Sequence, residues 1–275
     1  MVSVASFFAM LITLIISILY PVFLYIMLRR RSSNVTGAVI AGAVAFYISQ
    51  ILIRLPLIQV VLPEFDWFVK LKDIPVSYIL FFASSAALFE ETARYLAFVL
   101  LLKEKQVWKC GIAFGIGHGG IEAVMLVGIT YINNIALSFM INSGTFYINL
   151  QNKLDNEAAG QIYKALTQTS ADTFLAAGIE RALTIIVHIA LSVMILEGII
   201  RSRRLLFYFA AIIAHTVLNY VSSYMAFKMI NMWLIELFIA GMAALSILYV
   251  VKSKKRFGDR IEAVDEAKKA VEEGY

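Results

Sequence analysis

Apolar stretches of about 20 residues, set apart by short clumps of charge, are the feature that most narrows what this chain can fold into. At about 1.5 Å of helical rise per residue, each is long enough to cross a hydrocarbon core of roughly 30 Å. A soluble domain of 275 residues has no interior large enough for a composition that is 61% hydrophobic, with a mean hydropathy of +0.81. Four prolines and few turn signals fit long helices better than a β-barrel. The expected fold is therefore all-α, a polytopic transmembrane helix bundle. A single cysteine excludes an internal disulfide and a cysteine-based metal knuckle. The net charge of +5 does not point to nucleic acid, because the basic residues flank apolar segments, where they set topology.

Seven spans are expected, at about 4–28, 36–62, 75–102, 107–131, 174–200, 205–226 and 231–251. Arg29–Arg31 follow the first, which marks it as a retained helix and not a cleaved leader. Lys103, Lys105 and Lys109 lie between the third and fourth, Arg201, Arg203 and Arg204 between the fifth and sixth, and Lys252, Lys254, Lys255 and Arg256 after the last. With seven spans all four clusters fall on one side, giving an outside N-terminus and a cytoplasmic C-terminus. An eight-span alternative sends 132–150 across and breaks that agreement. The polar segment 132–173 reads either as a loop or, around Leu150–Thr167, as a helix lying on the outer interface. The domain division is a transmembrane unit over 1–251 and a charged, solvated helical tail over 252–275.

The remaining argument rests on ionisable residues inside the spans, each costing roughly 2.5–3.5 kcal/mol at a helix centre on insertion scales. Span three carries Glu90, Glu91 and Arg94; span four carries His118 and Glu122 among Gly115, Gly117, Gly119 and Gly120; span five carries Glu180, Arg181 and His188; span six carries His215 and Asn219. Measured from the basic ends, Glu90, His118, His188 and His215 lie about 10 to 12 residues deep, an agreement to about 3 Å that takes in every histidine of the chain. Arg94 is three residues after Glu91 and four after Glu90, so it reaches either carboxylate; Glu122 shares a helix face with His118, and Asn219 with His215. The bland readings are specific. Glu91 and Arg94 form a structural pair, Arg181 neutralises Glu180 or Glu122, the glycines pack helices, and Arg54 snorkels to the outer surface. A lone intramembrane histidine is a packing residue, but three at one depth beside a glutamate favour function.

Carboxylate, imidazole and amide in one low-dielectric layer suit the activation of water. A glutamate takes a proton, histidines orient the water or hold Zn²⁺, and an amide donates to a developing oxyanion. His118, His188 and His215 are the candidate zinc ligands. The soluble-protease pattern His-Glu-x-x-His is absent, so any site is assembled from separate helices.

Glu90-Glu91-x-x-Arg94, Phe114-x-x-x-His118 and His215-x-x-x-Asn219 resemble the motifs of the type II CAAX-protease superfamily, which also holds the PrsW proteases and the scaffold subunit of γ-secretase. The Glu-Glu-Thr-Ala-Arg-Tyr and Gly-His-Gly-Gly-Ile-Glu wording resembles the YhfC family of intramembrane proteases most. The resemblance covers about 75–225. It implies Glu90, with its neighbour Glu91, as the base, His118 as its partner, and His215 and Asn219 as water-positioning or oxyanion groups, with Arg94, Glu122 and Arg181 in support. Two departures stand out: two residues instead of three separate Glu91 from Arg94, and His188 has no counterpart in the simplest CAAX pattern. A prenylated substrate is not implied, because the prokaryotic cell membrane in which such a protein is expected holds few such targets. The expected activity is endopeptidase cleavage of a membrane-embedded protein or peptide, in or beside the lipid bilayer. A non-catalytic scaffold is the main alternative, disfavoured by the presence of Glu90 and Glu91. A proton-coupled transporter is the other, disfavoured by the lack of an inverted repeat.

Overall fold

The computed structural model describes residues 1–32, 35–103, 107–150 and 154–272, with side chains as far as Gly258. Lys105 of the second basic cluster and the last part of the charged tail lie outside the described side chains. No strand occurs among the described residues. The chain is an integral membrane protein, built as an all-α bundle.

Helix α1 (Val4–Arg30) begins where Ser3 accepts the Ser6 N–H at 3.0 Å, and it ends with Arg29 and Arg30 on the negative end of its dipole. Helix α2 (Thr36–Phe46) runs on through a π-helical stretch, Tyr47–Arg54. After the short α3 (Asp66–Leu71), α4 (Pro75–Leu96) starts on a proline, whose missing N–H has no partner to lose there, and continues as π-helix over Ala97–Leu101. Helix α5 (Trp108–Glu122), the π-helical Ala123–Gly128 and α6 (Ile129–Asn142) form one rod. Two short helices, α7 (Phe146–Leu150) and α8 (Asn156–Gln168), precede α9 (Ala171–Ile200), α10 (Arg204–Phe227) and α11 (Met232–Glu272).

Six described helices are long and apolar enough to cross a membrane: Val4–Arg30, Thr36–Glu64, Trp108–Asn142, Ala171–Ile200, Arg204–Phe227 and Met232–Gly258. Helix α4 is not among them, because Glu90, Glu91 and Arg94 interrupt its apolar run, yet it packs against α2, α9 and α10 inside the same bundle. Helix α9 is the centre of the assembly and touches α1, α4, α5, α10 and α11.

The close approach of α5 to its neighbours depends on glycine. A Cβ on Gly115 would strike the backbone of Ile189 and His188 in α9, and one on Gly117 would strike the Val39 backbone in α2. Gly42 of α2 in turn faces the Phe114 carbonyl. Backbones can meet this closely only where no side chain intervenes.

The basic clusters gather at one end. Lys109 Nζ donates to the Arg31 carbonyl at 2.9 Å, and Trp108 Nε1 donates to Ser253 Oγ at 3.0 Å with Lys254 over its ring. Arg201 and Arg256 both bind Glu197. The opposite end holds a second core of Met10, Tyr131, Ile141, Phe146, Leu166 and Phe174.

Two expectations change here, and one helix stands near where it was expected. The helix expected to stop at 131 runs to Asn142, since Tyr131, Ser138 and Ile141 are buried against this second core and Ser138 returns its hydroxyl to the Asn134 carbonyl at 2.6 Å. Segment 132–150 is thus the end of an existing rod followed by the five-residue α7. The helix expected around Leu150–Thr167 is α8, with Ala159 and Leu166 on its buried face. Helix α11 passes 251/252 without a break, Ser253 and Phe257 are buried, and Arg256 is paired, so the first turns beyond 251 belong to the packed bundle.

Candidate active site

Glu90, Glu91 and Arg94 of α4, His118 of α5, His188 of α9 and His215 of α10 meet in the interior, none more than 5% exposed. Three different helices bring the three imidazoles together: the His118 and His188 ring centroids are 5.0 Å apart, and those of His188 and His215 5.3 Å. The common depth read from the sequence therefore corresponds to one cluster.

The two adjacent carboxylates have different surroundings. Glu91 is clamped, with Arg94 Nη1 at 2.6 Å from both its oxygens and His215 Nδ1 donating to Oε1 at 2.8 Å. Glu90 touches no guanidinium. Its Oε2 lies 3.0 Å from His118 Nε2 and 3.8 Å from His215 Nε2, while Oε1 makes no hydrogen bond among the described residues. Because His215 gives its Nδ1 proton to Glu91, its Nε2 lone pair is turned toward the Glu90 carboxylate. That arrangement has room for a proton or a bridging group between them.

Arg94 also ties two helices together, since its Nη2 donates to His188 Nδ1 at 3.1 Å. His188 then carries its own proton on Nε2, which lies 2.6 Å from Glu122 Oε2. Glu122 Oε1 accepts from Arg181 Nη1 at 2.8 Å, and Arg181 Nη2 binds Glu180. Arg181 therefore serves both carboxylates that the sequence offered it. Asn219 lies one turn beyond His215 on α10, half-buried, and its side chain makes no hydrogen bond among the described residues. Phe46 and Phe114 pack on the His118 ring and exclude solvent from that side.

Several buried polar residues escaped the sequence reading. Arg54 does not snorkel. It is buried, donating to the Phe82 carbonyl at 2.8 Å, to Ser85 Oγ at 3.1 Å and to Gln50 Oε1 at 3.0 Å, because the π-helical turn aims it at α4. Glu197 and Glu236 are buried within apolar helices. The same signal that singled out Glu90, a charge inside an apolar run, marks both of them.

The donor set fits a metal ion. Glu90, His118 and His188 each offer a ligand atom, all within 4.8 Å of one another and all buried, and His188 would bind an ion by giving up its contact with either Arg94 or Glu122. Two histidines and a glutamate are a zinc-type set that leaves a position for water. His118 Nδ1 is buried without a partner, and the four carboxylates of Glu90, Glu91, Glu122 and Glu180 face only two guanidiniums, so a cation would balance the charge. Glu90 stands in this set where the sequence places His215, whose free Nε2 lies 3.8 Å from Glu90 Oε2 while its Nδ1 is held by Glu91.

A family model described as YhfC intramembrane metalloprotease matches residues 16–239. The membrane protein YhfC of Bacillus subtilis (strain 168), itself described as uncharacterized, is 31% identical over 243 residues, which covers 88% of this chain and 94% of that protein. No solved structure matches.

Proposed function

The chain belongs to the YhfC intramembrane metalloprotease family, and on that footing we propose that it is a peptidase hydrolysing a peptide bond in or next to the membrane. The observation that carries the reading is the buried trio of Glu90, His118 and His188 with ligand atoms within 4.8 Å. Those three residues would hold zinc or a similar ion, which lowers the pKa of a bound water to about 7 and polarises a carbonyl.

The protein's own groups divide the remaining work. Glu90 would serve the ion with one oxygen and would take a proton on the other. His118 passes that proton on or steadies the carboxylate. Arg94 and His215 clamp Glu91, so it serves as an anchor for the His215 ring. Arg94 and Glu122 flank His188, so one of them would orient the ring while the other nitrogen serves the ion. Asn219, one turn from His215 and unengaged, is the donor available to a developing oxyanion. Phe46, Phe114 and the glycine-tight α5 keep bulk water away, which strengthens every charge interaction within.

The substrate is a membrane-embedded protein or peptide, and the seven-span topology puts the basic end of the bundle in the cytoplasm. A scaffold without catalysis would have no use for a buried Glu90 that no guanidinium pairs. The deciding experiment is metal analysis of the purified protein beside Glu90→Gln and His188→Ala. About one equivalent of a transition metal, lost in His188→Ala, together with cleavage of co-reconstituted membrane peptides that Glu90→Gln abolishes, is the expected outcome. Cleavage by metal-free protein would remove the metal and leave the peptidase; cleavage unaffected by Glu90→Gln would remove this cluster as its source.

A further inference from the structure

Hydrolysis consumes water, yet the residues that would use it are sealed inside the bundle. The apolar groove between α2 and α4, about 550 Å³ and lined by residues such as Val44, Ile48, Leu96 and Leu100, offers water no hydrogen-bond partners of consequence. A second opening is different. At the end opposite the basic clusters, a cleft of about 350 Å³ lies between α9, α10 and α11, and its polar lining is Thr173, Glu180, Ser222, Ser223 and Glu236.

Two features of this cleft are not those of a closed structural ion pair. Glu236 is only 7% exposed, and its Oε2 meets no hydrogen-bond partner. A buried carboxylate oxygen left this way is ordinarily satisfied by water. The Glu180 side chain, by contrast, is 36% exposed on the cleft side while it binds Arg181.

From Glu180 a continuous run of polar contacts leads inward: Arg181, then Glu122 at 2.8 Å, then His188 Nε2 at 2.6 Å from Glu122. Glu180 and His188 are eight residues apart on α9, so the run spans about 12 Å along that helix. It ends on a residue of the buried trio.

We propose that the cleft between α9, α10 and α11 is the water inlet of the buried cluster. Water enters past Ser223 and Glu236 to Glu180 and passes inward beside the Arg181, Glu122 and His188 side chains, where the buried Arg181 Nε has no protein partner among the described residues. Glu236 lines the mouth, and its unpaired oxygen is hydrogen-bonded by the entering water. The purpose of the inlet rests on the peptidase reading above, but its existence does not, and the test reads water directly.

Ser223→Cys is placed in nanodiscs and treated with a bulky, membrane-impermeant methanethiosulfonate. The native Cys110 is buried, and Ile213→Cys, 63% exposed on the same helix outside the cleft lining, is the lipid-facing control. Histidine C2–H exchange in D₂O is then followed by mass spectrometry. The chain's three histidines all lie in the cluster, so every signal reports on the site. The expected result is one adduct on Ser223→Cys, none on Ile213→Cys, and a several-fold slower exchange at His188 that dithiothreitol restores. No adduct on Ser223→Cys, or an adduct that leaves His188 exchange unchanged, overturns the proposal. Failure to cleave any peptide would count against the peptidase alone and would not alter either reading of the exchange.

Discussion

Replacing Arg94 with leucine tests how the cluster is held together. Arg94 and Glu91 are both fully buried, 2.6 Å apart. Removing one partner of such a pair costs about 3–5 kcal/mol, because the other charge is left unpaired in a low-dielectric interior. His215 still donates to Glu91 at 2.8 Å, which argues for the lower end of that range. His188 Nδ1 also loses its donor, adding about 1 kcal/mol. A total of about 4 kcal/mol lowers the melting temperature by about 8–16 °C in a chain of this size. The single buried cysteine, Cys110, supplies the assay, since a thiol-reactive fluorophore signals when unfolding exposes it. The double variant Arg94→Leu/Glu91→Leu should recover much of the loss, because an apolar pair of similar volume needs no partner charge. Arg94→Lys should fall between, since one ammonium cannot reach Glu91 and His188 as a planar fork does. An Arg94→Leu protein melting within about 2 °C of the parent, or a double variant no better than the single, would refute this account.

Two further outcomes follow from the packing and the charge distribution. Gly115→Ala puts a methyl against the Ile189 and His188 backbone and should cost about 1–3 kcal/mol and reduce bound metal, whereas Gly160→Ala, with open space around it, should melt no lower than the parent; equal melting of the two variants would show that α5 has slack. Reporters fused after Tyr275 and inserted within 135–170 should register opposite sides of the membrane, cytoplasmic for the first; a cytoplasmic signal from the inserted reporter would break the seven-span topology.

Much of the site is legible in the sequence because depth in a membrane helix is a matter of counting. Charges inside apolar runs are rare enough to be noticed, and the rise per residue places Glu90, His118, His188 and His215 in one layer. The pairings among them are not legible. Whether His215 turns to Glu90 or Glu91, and whether Arg94 stops at Glu91 or reaches on to His188, depends on how each helix is rotated against the next. That rotation is set by packing at positions such as Gly115 and Gly117, which the sequence marks as small without naming the partner helix. The extension of α6 to Asn142 was obscured for a similar reason: its polar residues look like loop until Tyr131 and Ile141 are seen buried against the second core. Arg54 was misjudged because a π-helical turn shifts the direction of a side chain by more than an α-helical count allows.

Helix α5 uses one angular setting for two purposes. Gly111, Gly115 and Gly119, four residues apart, turn toward α9, and His118 is held in the same setting beside Glu90. Inserting or deleting one residue anywhere between Gly111 and His118 rotates everything beyond it by about 100°. The glycine seam would then face away from α9 on one side of the change, and the imidazole would leave Glu90. Sequences descended from a common ancestor therefore have to inherit the spacing from Gly111 to Glu122 intact.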